Sequence, residues 1–245
     1  MKGLAIIPAR SGSKGVTDKN IRPFFNSCLM GESIKHLKAT NLDLDIIVST
    51  DSKKYSQIAK SYGALVNNLR PKNLANDKVD LTATIKFEYQ NYSSLLNKEY
   101  SYILLILPTS PFRRVINTIN CVKTFENMSK NGFSSVFTVH ESIANENPAW
   151  QIRIVKEGEN SAPRIENIFK KNINEFAPNR NSLPDFYIKN DHAIVISPKN
   201  ILDKEPTIYG SKPFIFKIKK EYGVDIDINS INEFEIAERL YKGIS

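Results

Sequence analysis

The run Pro8-Ala9-Arg10-Ser11-Gly12-Ser13-Lys14-Gly15, closely followed by Lys19-Asn20, gathers small residues and cations in a short span. Small residues let backbone N–H groups come close to a phosphate chain, and Arg10, Lys14 and Lys19 would offset its charge. A triphosphate requires both features. The run is neither a Walker A loop, since no Gly-Lys-Ser/Thr follows at the required distance, nor a Gly-x-Gly-x-x-Gly fingerprint. Spacing alone leaves open a basic surface turn. Near the other end of the chain stands Asp225-Ile226-Asp227. In an extended segment the two carboxylates fall on one side of the backbone, where they repel unless a cation lies between them. Magnesium commonly takes one or two carboxylates together with substrate phosphate oxygens. An exposed acidic pair flanking a buried isoleucine is the competing reading.

Between these lie weaker candidates. In Leu107-Pro108-Thr109-Ser110-Pro111-Phe112-Arg113, Thr109 and Ser110 have hydroxyls for a sugar and Arg113 a cation for an anion. A Pro-stiffened turn fits the same residues. In Ser49-Thr50-Asp51 the aspartate is expected to cap the helix beginning near Lys53. Leu74-Ala75-Asn76-Asp77 and the stretch from Arg180 through Lys189-Asn190-Asp191-His192 complete the set. His36, His140 and His192 show no metal-ligand spacing. His36 is expected on a helix surface and His140 at a strand end, while His192 beside Asp191 is the one histidine to watch. Trp150 is expected to be a packing anchor.

The elements that must position these residues can be read from hydrophobic periodicity. Short continuous apolar runs at Leu4–Ile7, Ile46–Val48, Ile103–Leu107, Ser135–Val139 and Ala193–Ile196 predict strands buried on both faces. Helical spacing predicts helices over Lys53–Tyr62, Val115–Met128 and Ile231–Leu240, the last opened by a capping box of Ser230 and Glu233. Strands alternating with helices imply parallel pairing and an α/β fold. The motifs then fall after strands, where open α/β sheets bind ligands. The polar, Pro-containing segment 141–185 interrupts the alternation and reads as an excursion, a lid or a dimer arm, from one domain spanning 1–245.

Composition sets outer bounds. The chain has 245 residues, 41% hydrophobic and 24% charged, as expected of a globular protein rather than a disordered one. No apolar run is long enough for a membrane helix, and no secretory leader is expected at the start, which fits a cytoplasmic protein. Cys28 and Cys121 carry neither redox nor metal spacing. The net charge of +8 is spread along the chain without a nucleic-acid-binding motif, so small anionic substrates are favoured over nucleic acid.

Taken in order, the Pro8–Gly15 loop with Lys19-Asn20, Ser49-Thr50-Asp51, Leu74–Asp77, Pro108–Arg113 and Asp225-Ile226-Asp227 resemble the motifs of the CMP-sialic acid synthetases, the acylneuraminate cytidylyltransferases that also serve legionaminic and pseudaminic acids. The resemblance covers nearly the whole chain. It implies a Rossmann-like nucleotidyltransferase fold with a mostly parallel sheet, and a homodimer whose arm is the 141–185 segment. It implies CTP and a 2-keto sugar acid as substrates, with no nucleic acid or membrane partner. The nucleotide would be held by Ala9, Arg10, Ser11, Gly12, Ser13, Lys14, Lys19, Asn20 and Asp77. Lys19 and Arg10 would act on the phosphates, and Asp225 and Asp227 would hold Mg2+, with Asp225 also the nearest candidate base. Thr109, Ser110, Arg113, Arg180, Lys189 and Asp191 would face the sugar. Two departures fall on the sugar side. Leu107 stands where the family usually has a sugar-binding Gln, and Asn190-Asp191-His192-Ala193 stands where it usually has Asn-Gly-Ala. They leave the sugar open among N-acetylneuraminate, legionaminate, pseudaminate or a relative, with another 2-keto sugar acid such as 3-deoxy-octulosonate as the alternative. The synthetases for octulosonate share the fold but carry a different early loop. A catalytically silent nucleotide- or sugar-binding paralogue is the alternative outside enzymology.

Overall fold

A computed structural model describes residues 1–13, 15–76, 79–155, 164–167, 185–219 and 226–244. Lys14, Asp77, Arg180 and Asp225 lie outside the described residues, as does the side chain of Asp191. The chain divides into two compact units, the first comprising 1–138, 190–216 and 220–245, the second 139–189 and 217–219.

In chain order the first elements are β1 (Gly3–Pro8), the small β2 (Pro23–Phe24) and β3 (Ser27–Cys28), α1 (Leu29–Ala39), β4 (Leu44–Ser49), α2 (Lys53–Ser61), α3 (Leu81–Leu96), β5 (Tyr102–Leu105) and α4 (Val115–Met128). They are followed by β6 (Ser135–Glu141), β7 (Ile152–Val155), β8 (Arg164–Asn167), β9 (Tyr187–Ile196), α5 (Pro198–Leu202), β10 (Pro213–Ile218) and α6 (Ile231–Ile244). The main sheet runs β10-β6-β9-β5-β1-β4. β1 pairs in parallel with β4 and β5, placing Ala5 beside Ile46 and Leu104. β9 pairs with β5 antiparallel, Leu104 against Val195. The alternation rule therefore holds at the centre of the sheet and fails at β9, which arrives through the second unit rather than by a direct helical crossover.

The pleat explains why the strands read as unbroken apolar runs. Ala5, Ile7, Leu104, Ala193 and Val195 face one buried cluster, which includes Met30, Ile34, Val122 and Phe125 from α1 and α4. Leu4, Ile6, Ile103, Leu105 and Ile194 face the other, with Ile85, Tyr89 and Tyr92 of α3. Each fully buried large side chain of this kind contributes about 1.5–3 kcal/mol. α6 packs on a third cluster, in which Phe24 meets Phe234 edge-on at 5.5 Å.

Hydrophobic periodicity predicts α2, α4 and α6 but not α1, α3 or β10. Cys28 opens α1, its Sγ accepting from Gly31 N at 3.3 Å. Asp80 opens α3, accepting from Thr82 N at 3.0 Å, and Asn97 closes it in the left-handed region at φ 48°. The capping box of α6 is present: Ser230 Oγ accepts from Glu233 N at 3.3 Å, and Glu233 accepts from Ser230 N at 2.7 Å. Asp51 does not cap α2. That role belongs to Ser52, whose Oγ accepts from Tyr55 N.

In the second unit, β7 and β8 form an antiparallel pair fastened by Arg153 and Glu166 at 2.8 Å. His140 is buried with its Nε2 3.8 Å from Glu146. Trp150, expected as a packing anchor, is 39% exposed, and Ile152 and Ile154 are exposed beside it in sequence. Much of 141–185 lies outside the described residues. No described helix is long and apolar enough to cross a membrane.

Candidate active site

The early loop leaves β1 at its carboxyl end and is stitched to the neighbouring strand. Ala9 N donates to Ser49 O at 2.9 Å, and Asp51 grips Ser11 twice, accepting from its N at 2.8 Å and its Oγ at 2.9 Å. Asp51 thus shapes the loop rather than starting a helix. A bidentate carboxylate satisfies two of the loop's own donors and fixes its turn against the neighbouring strand. Asn20 completes the brace, donating from Nδ2 to Arg10 O at 3.3 Å while its own carbonyl accepts from Met30 N.

The far end of the chain meets this loop. A Cβ at Gly15 would stand 2.0 Å from the carbonyl oxygen of Asn229, so only glycine permits the approach. Lys19 Nζ donates to Ile228 O at 2.6 Å. Burial lowers the pKa of this amine, Asp227 and Glu233 pull it back up, and Arg10 adds to the lowering. Ile228 N donates to Thr109 O at 2.9 Å. The segment 226–229 therefore ties the early loop to the turn after β5, and three motifs far apart in sequence become one surface. The Asp227 carboxylate is exposed and accepts from Asn229 Nδ2 at 2.8 Å.

Beside this junction opens a cavity of about 310 Å³. Its wall takes Arg10, Ser13, Lys19 and Asn20 from the loop and Leu107, Pro108 and Thr109 from the turn. Leu74, Asn76 and Val79 come from the segment on either side of Asp77, and Arg70 and Thr84 also line it. Its size suits a nucleotide-sized ligand, and its cations suit phosphates.

Other expected residues fall elsewhere. Ser110, 3% exposed, and Arg113, 8% exposed, lie behind the turn and outside the cavity's lining. Arg113 donates to the carbonyl of Leu107 and to Ser33 Oγ at 3.4 Å, so in this structure it braces the turn that was expected to offer it to an anion. His36, expected on a helix surface, packs between α1 and α4 with Nε2 2.8 Å from Thr118 Oγ1. Burial, followed by Arg113 and His192, pushes its pKa down to about 3, which keeps the ring neutral. His192 and Asn190 are buried in β9, where Asn190 Oδ1 accepts from Thr138 Oγ1 at 2.5 Å. Lys189 is exposed and belongs to the second unit. Among the described residues no group of three or more His, Cys, Asp or Glu side chains is placed to hold a metal. Asp227 with substrate phosphates nevertheless matches the donor chemistry magnesium prefers.

Sequence reading missed Arg70 and Glu88, and it gave Ser49, noted within Ser49-Thr50-Asp51, no role of its own. Arg70 Nε donates to Ser49 Oγ at 2.9 Å and its Nη2 to Ser49 O at 2.7 Å, while Ser49 Oγ donates to the buried Glu88 Oε1 at 2.5 Å. Arg70 follows no strand and sits in no motif. The one signal was a glutamate at an apolar-stripe position of α3.

Comparison with known proteins agrees with this geometry. Residues 4–243 match the family model described as Cytidylyltransferase. The N-acylneuraminate cytidylyltransferase of Escherichia coli O18:K1:H7 is 31% identical over 96% of this chain, which spans 51% of that longer protein. The CMP-N,N'-diacetyllegionaminic acid synthase of Legionella pneumophila is 29% identical over 98% of this chain and 96% of its own length. Among solved structures, that of CMP:2-keto-3-deoxy-manno-octonic acid synthetase complexed with CTP superposes over 100% of both chains with TM-score 0.71 at 12% identity, a likeness of fold. A loop of cations fastened to an acidic segment at the carboxyl end of the sheet's parallel strands, together with a family match over nearly the entire chain, places this protein in the cytidylyltransferase family.

Proposed function

We propose that this enzyme joins CTP to a sialic-acid-like nonulosonic acid, giving the CMP-sugar and pyrophosphate. The observation that carries the reading is the junction of Lys19 with Ile228 O and of Gly15 with Asn229, which brings Asp227 close enough to act on the charge of Lys19, a residue of the cavity wall. The triphosphate lies along Arg10, Ser13 and Lys19. The anomeric hydroxyl attacks the α-phosphorus in line, the new O–P bond forms as the bond to the pyrophosphate oxygen breaks, the hydroxyl proton passes to water, and negative charge grows on the leaving group. Lys19 and Arg10 stabilise that charge in a half-buried setting, where a cation acts more strongly than in water. Magnesium held by Asp227, with Asp225 two residues earlier, would supply Lewis-acid polarisation of the phosphoryl oxygens. Thr109 offers a hydroxyl to the sugar, and Leu107 presents an apolar wall that cannot hydrogen-bond. The names of the relatives, which include a pseudaminic acid cytidylyltransferase from Campylobacter jejuni, support a nonulosonic acid as acceptor. The exposed Trp150, Ile152 and Ile154 of the second unit support a homodimer.

The test is pyrophosphate release across nonulosonic and octulosonic acids, each with the four NTPs. CTP with a nonulosonic acid is expected to turn over fastest. Turnover with ATP or GTP but not CTP refutes the proposal.

A further inference from the structure

Glu88 is a carboxylate that the reaction above does not use. It sits on α3, 1% exposed, amid the stripe formed by Ile85, Tyr89 and Tyr92. An apolar side chain would be cheaper there, because a carboxylate loses its hydration on burial. Its described polar contacts lead one way. Glu88 takes the Ser49 hydroxyl proton at 2.5 Å, which leaves the oxygen lone pairs of Ser49 for Arg70, and Arg70 reaches the cavity wall beside Arg10. Thr84, one turn before Glu88 on the same face of α3, also lines that cavity.

We propose that Glu88 is a positioning and charge-setting residue for nucleotide binding: through Ser49 it fixes the guanidinium of Arg70 at the cavity wall and offsets part of its charge. This rests on the reading that the cavity takes CTP. The groups facing Glu88 are Arg70 across the gap and Tyr92 one turn along α3, while Asp51 and Arg10 act in turn on Arg70. Burial lifts Glu88 to about 7, and Ser49 and Arg70 pull it only partly back. A bound polyanion favours the protonated carboxyl, which leaves the full charge of Arg70 to the phosphates. CTP binding therefore tightens as pH falls through this titration.

The test measures CTP affinity by calorimetry, and kcat and KM by pyrophosphate release, across this pH range. Glu88→Gln keeps the shape and a hydrogen bond to Ser49 but removes the charge. At about pH 8 its CTP Kd is expected to be roughly three- to tenfold below wild type, as for one charge removed near a polyanion. The ratio should approach one in mildly acidic buffer, with kcat little changed. Ser49→Ala, which removes the link to Arg70 and a group that lowers the Glu88 pKa, should weaken CTP binding at every pH and move the pH step upward. A Glu88→Gln to wild-type ratio that ignores pH, or a change confined to kcat, overturns the proposal alone. Wild type that binds no CTP overturns the functional reading as well.

Discussion

Replacing Gly15 by alanine tests whether the early loop and the 226–229 segment must touch. The added methyl would lie 2.0 Å from the Asn229 carbonyl oxygen and 3.2 Å from its carbon. Ordinary C···O contact begins at about 3.3 Å, so one backbone must withdraw by roughly 1.3 Å. Neither partner is the flexible end of a side chain, and the retreat cannot be absorbed by a rotamer. Lys19 would lose its 2.6 Å bond to Ile228 O, and Asp227 would move away from the phosphates. A misplacement of about 1 Å in a catalytic constellation costs on the order of 10²-fold, or roughly 2.7 kcal/mol of transition-state stabilisation. The assay is kcat/KM from pyrophosphate release with CTP and the preferred sugar acid, with thermal melting measured in parallel. The core is untouched, so the activity loss should far exceed what any change in melting explains. A Gly15→Ala enzyme within about threefold of wild type would show that the junction is incidental.

Asp227→Ala should lower kcat by about 10²–10³-fold at any magnesium concentration, and full magnesium-dependent turnover would remove Asp227 from the site. Asp51→Ala strands two donors of Ser11 and should raise the KM for CTP by an amount equivalent to about 1.5–3 kcal/mol, read from initial rates, while the preference among sugar acids stays fixed. Leu107→Gln places an amide on the cavity wall and should shift the ranking of sugar acids by about tenfold in kcat/KM without altering the KM for CTP, as seen across a substrate panel. Glu88, raised from 4.5 to about 7, contributes stability that is fully present below its unfolded value and lost as pH rises through about 7. Wild type should therefore lose about 3 kcal/mol relative to Glu88→Gln between pH 4.5 and 8 by denaturant titration, and parallel stability curves would contradict this.

The parts of the fold legible in sequence were those whose signal is local. Leu4–Ile7 and Ile103–Leu107 read as buried strands because both faces of the sheet are covered, so every residue in the run is apolar. The Ser230–Glu233 box declared α6 because capping depends on a spacing of three. α3 stayed hidden because its Thr, Tyr and Ser residues are weak helix formers. Its helix is held by burial of Ile85, Tyr89 and Tyr92, a tertiary term that overrides propensity. The site divided the same way. Arg10, Ser13, Lys19 and Asn20 share one loop, and the structure finds them on one wall. Arg70, Ser49 and Glu88 belong to three separate segments, and no spacing announces a contact made by folding. Asp51 was legible as a polar residue after a strand, but its choice of Ser11 over the helix start depends on where β1 lies.

The contact of Gly15 and Lys19 with residues 228–229 joins positions separated by more than 200 residues, Lys19 to Ile228 spanning 209. During synthesis the cationic loop emerges early and waits, without its acidic counterpart, until about 200 further residues have left the ribosome. The strands between them can pair and the sheet can form in that interval. On the proposed function, the ability to grip a nucleotide in a reactive pose arrives only after the sheet, and a chain cut before 226 is expected to fold much of its sheet yet remain inert toward CTP.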